Sequence, residues 1–109
     1  MIDKYTQLKN QIASRSSICG ISSNEVSLAK DLVNNKCKDK ALFICEGLWA
    51  TEKLIEKNIE VVAFFYNSEK LDNEKYNIEE LQKIAKMSQF SAKTYAISTK
   101  SCKKISDRD

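Results

Sequence analysis

Val61-Val62-Ala63-Phe64-Phe65-Tyr66 opens the stretch VVAFFYNSEKLDNEKYNIEELQKIAKMSQFSAKTYAIS, residues 61–98, whose reading decides the fold. The first six residues are rich in β-branched and aromatic side chains and carry no charge, which reads as a strand closed by Asn67-Ser68. A polar stretch, Glu69 to Lys75, follows. Asn77-Ile78-Glu79-Glu80 then reads as a cap-like helix start. Behind it Ile78, Leu81, Ile84 and Ala85 make one helical stripe. Thr94 to Ile97 is short enough for a second strand, and Ser98 or Thr99 caps a last helix. That helix turns Cys102 and Ile105 inward and leaves Lys100, Lys103 and Lys104 outward.

The same alternation continues toward the N-terminus. Leu48 to Asn58 reads as a helix with Trp49, Leu54 and Ile55 as its apolar contributors. Ala41 to Cys45 (ALFIC), ending in Glu46-Gly47, reads as a strand buried on both faces. Lys36-Cys37-Lys38-Asp39-Lys40 is a charged connector. Before it, Ser22 and Glu25 form an S-x-x-E capping box for a helix reaching Asn34 or Asn35, with Val26, Ala29, Leu32 and Val33 on its apolar face. Residues 1–20 form a lead in which Tyr5, Leu8 and Ile12 recur at helical spacing until Ser14-Arg15-Ser16-Ser17 breaks the pattern. Helix and strand alternating in this way predict an α/β domain with helices on both faces of a small parallel or mixed sheet.

The 109 residues suffice for one domain, and 42% hydrophobic content is too apolar for a disordered chain. The net charge of +3 permits an acidic partner without demanding one. Histidine is absent, and Cys19, Cys37, Cys45 and Cys102 make no CxxC pair, so the usual zinc patterns are excluded. The N-terminus has no apolar signal core, and no run is long enough to span a bilayer. Cytoplasmic localisation with reduced thiols is the expectation.

Catalytic groups are scarce. The commonest general base is missing, and Gly20 and Gly47 are the only glycines, too few for a phosphate-cradling loop. Cys45 and Cys102 sit on core faces. Glu46 has no second acid spaced to work with it. Trp49 and Tyr66 have the ring faces that stack on bases, but both read first as core. The connector carries more information: Lys36, Lys38 and Lys40, with Lys30 on the preceding helix, can meet phosphate oxygens at a strand mouth, although a solvated loop accounts for the same charges.

In order, Ile21-Ser22-Ser23-Asn24-Glu25-Val26, the basic connector, Leu42-Phe43-Ile44-Cys45-Glu46-Gly47, the VVAFFY strand and the Tyr95-Ala96-Ile97-Ser98 strand resemble the N-terminal part of SpoU/TrmH-family RNA 2′-O-ribose methyltransferases. The likeness covers residues 21–109. Glu25 and Ser27 stand where relatives often carry proline and a basic residue, and lysines replace arginines in the connector, which removes bidentate phosphate recognition.

The resemblance implies a three-layer α/β/α sandwich like that of kink-turn-binding ribosomal proteins, with residues 1–20 as a lead and 21–109 as an RNA substrate-binding domain. It implies rRNA or tRNA as partner. It places RNA contact at Asn24, Lys36, Lys38 and Lys40, with Lys30 beside them; Arg15 is added on charge alone. No catalytic, metal or cofactor-binding residue carries over. S-adenosylmethionine and the homodimer contacts belong to a knotted catalytic domain expected after Asp109, so the fragment itself is expected to be a monomer with no affinity for membranes or metals. Two other expectations compete: a stand-alone kink-turn-type RNA-binding protein and a protein–protein interaction domain.

Overall fold

The computed structural model describes residues 3–20, 23–33 and 50–106. In chain order the elements are α1 (Lys4–Ser14), β1 (Ser16–Ile18), α2 (Asn24–Val33), α3 (Thr51–Glu56), β2 (Ala63–Asn67), α4 (Ser68–Asp72), α5 (Ile78–Phe90), β3 (Lys93–Ile97) and α6 (Thr99–Ser106). The strand expected at Ala41–Cys45, the lysine connector and the Glu46-Gly47 turn lie outside the described residues. What is described is α/β: a three-stranded sheet in the order β1-β3-β2, both pairings parallel, flanked by helices.

β3 is the hub. Thr94 pairs with Ser16 on one side and Phe64 on the other, and Ala96 pairs with Ile18 and Tyr66. Side chains alternate along a strand, so β3 needs cover on both faces. On one face Tyr66 and Ala96 meet Ile12 of α1, Leu71 of α4 and Leu81, Ile84 and Ala85 of α5. On the other, Ile97 meets Val26 and Ala29 of α2 and Ile105 of α6, with Cys19 beside them and Phe65, Tyr95 and Cys102 packed at the margin. Phe65 and Tyr95, register partners, stack with ring centroids 5.4 Å apart. Cross-strand aromatic pairs of this kind fix strand register.

The structure differs from the sequence reading in several places. The lead is part of the fold: α1 buries Ile12 completely, and Ser16–Ile18 pairs with β3 where the serine-rich run had read as a break. Three residues with two serines give no alternating apolar signal, so only the pairing with β3 makes them a strand. The polar stretch after Asn67 holds α4, a helix of five residues started by the Asn67 carboxamide, which accepts from the Glu69 and Lys70 amides. Its one buried residue, Leu71, was too little for a periodicity to register.

The cap of α2 is Ser23, whose Oγ accepts from the Val26 amide at 3.2 Å; Ser22 lies outside the described residues. The cap-like start at Asn77 is a reciprocal box with Glu80, with both bonds at 2.8–2.9 Å. β2 begins two residues late, at Ala63, with Val62 exposed.

Helix ends often need a left-handed residue, and glycine is the usual one. In α3 and α4 that place is taken by Asn58 (φ 51°) and Glu74 (φ 55°). In each case the following amide reaches back five residues, Ile59 to the Leu54 carbonyl and Lys75 to the Lys70 carbonyl, which is a Schellman closure. Asparagine tolerates this backbone, whereas glutamate meets the full steric penalty of the Cβ.

Two outcomes follow for urea unfolding. Ile12→Ala lowers stability by about 2–5 kcal/mol, because it empties a fully enclosed site between α1, α5 and the sheet. Glu74→Gly raises stability by about 1 kcal/mol by relieving the left-handed strain. An unchanged midpoint in the first variant would mean that α1 is not part of the cooperative unit.

Candidate nucleic-acid interface

Parallel strands place all their carboxyl ends at one edge, and open α/β sheets commonly bind ligands there. Each described strand leads at that edge into a helix opened by a short polar residue: Ser23 before α2, Asn67 before α4 and Ser98 before α6. Between β2 and β3 the edge satisfies itself. The Glu69 carboxylate accepts from the Thr99 amide at 3.3 Å and from the Thr99 hydroxyl at 3.0 Å. Asn67 Nδ2 donates to Thr99 Oγ1, the Asn67 amide donates to the Tyr76 hydroxyl oxygen, and the Ser68 hydroxyl donates to the Ile97 carbonyl. A carboxylate of the chain thus occupies the start of α6, where an external anion would otherwise be favoured.

Asn24, the first residue of α2, is exposed near this edge; Lys30, in the last turn, is also exposed. Six residues apart on an α-helix, they are turned about 240° from each other, so they do not make a single contact strip. Lys36, Lys38 and Lys40 lie outside the described residues. Arg15 is exposed on the far side of the sheet, where its Nη1 donates to the Ala85 carbonyl (3.3 Å) and the Ser88 hydroxyl (3.2 Å) of α5. The structure therefore separates Arg15 from Asn24 and Lys30. Tyr66 is enclosed and donates to Ser16 Oγ at 2.9 Å, which makes it a core residue and removes it as a base-stacking platform.

Sequence reasoning missed an open groove of about 450 Å³ between α1 and α5. Lys4, Arg15 and Lys86 line it together with Gln11, Gln82 and Gln89. The signal was present as Lys4, Gln11 and Arg15 at helical spacing along the margin of the Tyr5–Leu8–Ile12 stripe, but nothing in one helix alone says that a second helix will form the other wall.

Among the described residues no nucleophile stands paired with a base. Cys19 is buried and Cys102 half-buried, both as free thiols. Burial pushes both thiols above their ordinary value; Glu25 adds to this at Cys19 and Glu69 at Cys102, while Lys70 acts the other way on Cys102. Among the described residues no group of three or more Cys, Asp or Glu could hold a metal ion, and no helix is long and apolar enough to cross a membrane.

A thiol whose folded pKa is raised is stabilised in its protonated form. That stabilisation is complete below the unfolded thiol value and is lost as pH rises through the folded one. Site-resolved alkylation at neutral pH should therefore label Cys19 and Cys102 far more slowly in the folded chain than in urea; equal rates would contradict the packing described. In comparisons with known proteins, no family model, no curated protein and no solved structure matches this chain.

Proposed function

We propose that the chain is an RNA-recognition domain, inactive as an enzyme by itself, that delivers rRNA or tRNA to an attached SpoU/TrmH-type 2′-O-ribose methyltransferase domain. The observation that carries the reading is the exposed Asn24 opening α2 beside the carboxyl edge of a parallel sheet. Core clusters on opposite faces of β3 agree with a three-layer α/β/α sandwich of the kind found in kink-turn-binding ribosomal proteins. In this reading the rigid sheet sets orientation, Asn24 supplies a hydrogen-bonding contact, and Lys30, Lys36, Lys38 and Lys40 neutralise phosphates. Counterion release then supplies most of the affinity and makes it salt-dependent. S-adenosylmethionine would serve the attached domain and touch no residue named here.

Titrating residues 1–109 with structured rRNA fragments at several salt concentrations tests the proposal. Log affinity should fall by about 0.7–0.9 per neutralised phosphate for each log unit of salt. The Lys30/Lys36/Lys38/Lys40→Ala variant should bind more weakly and with a shallower slope, while Asn24→Ala should weaken binding without changing the slope. A folded chain that binds no RNA at low salt would leave a protein–protein interaction domain as the better reading.

A further inference from the structure

We propose that the groove between α1 and α5 is a second binding site, one that tracks the phosphodiester backbone of a single nucleic-acid strand. It goes beyond the RNA contact proposed for α2 and the connector, because it uses another surface, on the opposite face of the sheet, and stands without them.

The two walls run in the same direction: Tyr5 near the start of α1 donates to the Tyr76 carbonyl just before α5, and Arg15 at the end of α1 reaches Ala85 and Ser88 late in α5. α1 contributes Lys4, Leu8, Gln11 and Arg15, a single stripe at i, i+4, i+7 and i+11. At 1.5 Å per residue the two cations at its ends stand about 16 Å apart along the axis. Lys86 of α5 adds a third cation. Among the described residues no carboxylate lines the groove and none of these three cations forms an ion pair.

Arg15 differs from an ordinary surface cation. Its Nη1 is fixed by two neutral acceptors, the Ala85 carbonyl and Ser88 Oγ, so the guanidinium is held in place while its charge stays uncompensated. The Ser88 hydroxyl in turn donates to the Ala85 carbonyl at 2.7 Å, which holds that acceptor pair together. The N–H groups of Nε and Nη2 remain without a partner among the described residues, and a guanidinium prepared in this way suits phosphate oxygens.

The length selects the ligand class. A compact anion can meet one end of a run of about 16 Å but not both, whereas a stacked strand carries a charge about every 3.4 Å along its axis. Gln11, Gln82 and Gln89 offer amide donors and acceptors to the sugar–phosphate chain, and Leu8 and Ala85 form a small apolar floor. Among the described residues no aromatic side chain lines the groove, so no stacking platform is offered there and binding should be indifferent to sequence.

The experiment is fluorescence anisotropy of labelled short oligouridylate and oligoadenylate against residues 1–109 over a salt series. Lys4→Gln/Lys86→Gln is the test variant, since both lysines are exposed and leave the Arg15 bonds intact; circular dichroism checks its fold. The two oligonucleotides should bind alike, and the variant should reduce the salt slope by about 0.7 for each cation removed. In the Lys30/Lys36/Lys38/Lys40→Ala background, Lys4→Gln/Lys86→Gln should still remove the same part of the salt slope, so the groove and the connector can fail separately. Absence of oligonucleotide binding, or binding indifferent to Lys4→Gln/Lys86→Gln, overturns the proposal. So does tripolyphosphate binding as tightly as the strand, or Lys4- and Lys86-dependent capture of anionic phosphatidylserine vesicles by a chain that ignores the oligonucleotides.

Discussion

Everything in the described fold depends on the double burden carried by β3. As the middle strand of a parallel sheet it hydrogen-bonds to β1 on one side and β2 on the other, so no edge of it meets water. Its side chains alternate between two apolar environments, and a chain of this size satisfies both only by committing helices to each. α1 and α5 are thereby assigned to one face, α2 and α6 to the other. That assignment sets the distance between Asn24 and Arg15 and creates the groove between α1 and α5. The surface chemistry is a consequence of how the middle strand is covered.

How much of this was legible depends on whether the information was local. The Asn77 cap and the Ile78–Leu81–Ile84–Ala85 stripe are local, and α5 follows them closely. β2 and β3 announce themselves by aromatic and β-branched runs. β1 has no such run: Ser16, Ser17 and Ile18 become a strand because Thr94, Tyr95 and Ala96 offer a ladder, and that depends on a contact nearly eighty residues away. α4 is a single turn and a half whose cap, Asn67, read equally well as the end of a strand. The same limit applies to the binding surfaces. Arg15 was visible as a charge, but its orientation by Ala85 and Ser88 is a tertiary fact.

The polar residues around the buried Asn67 serve the frame. Asn67, Thr99, Glu69, Tyr76 and Ser68 consume one another's hydrogen-bonding capacity at the carboxyl edge and lock β2, β3, α4 and α6 together. The bonds of this network run from the part-buried Asn67 contacts to the exposed Glu69–Thr99 pair, and side-chain networks confer rigidity when their members are paired. The Cys19 and Cys102 thiols, raised by burial, belong with the frame as well. The charges of both signs, by contrast, are mostly at the surface: Lys4, Arg15, Lys30 and Lys86 are exposed, as are Asp3, Glu25, Glu52 and Glu79.

The most direct test of that account is an amide-resolved NMR titration of residues 1–109 with a structured rRNA fragment at low salt. Recognition on a rigid frame predicts shifts in exposed amides around Asn24 and Lys30, with the β3 amides from Thr94 to Ile97 unmoved. A spectrum unchanged at saturating RNA, or one that changes throughout β3 as the core rearranges, would contradict it.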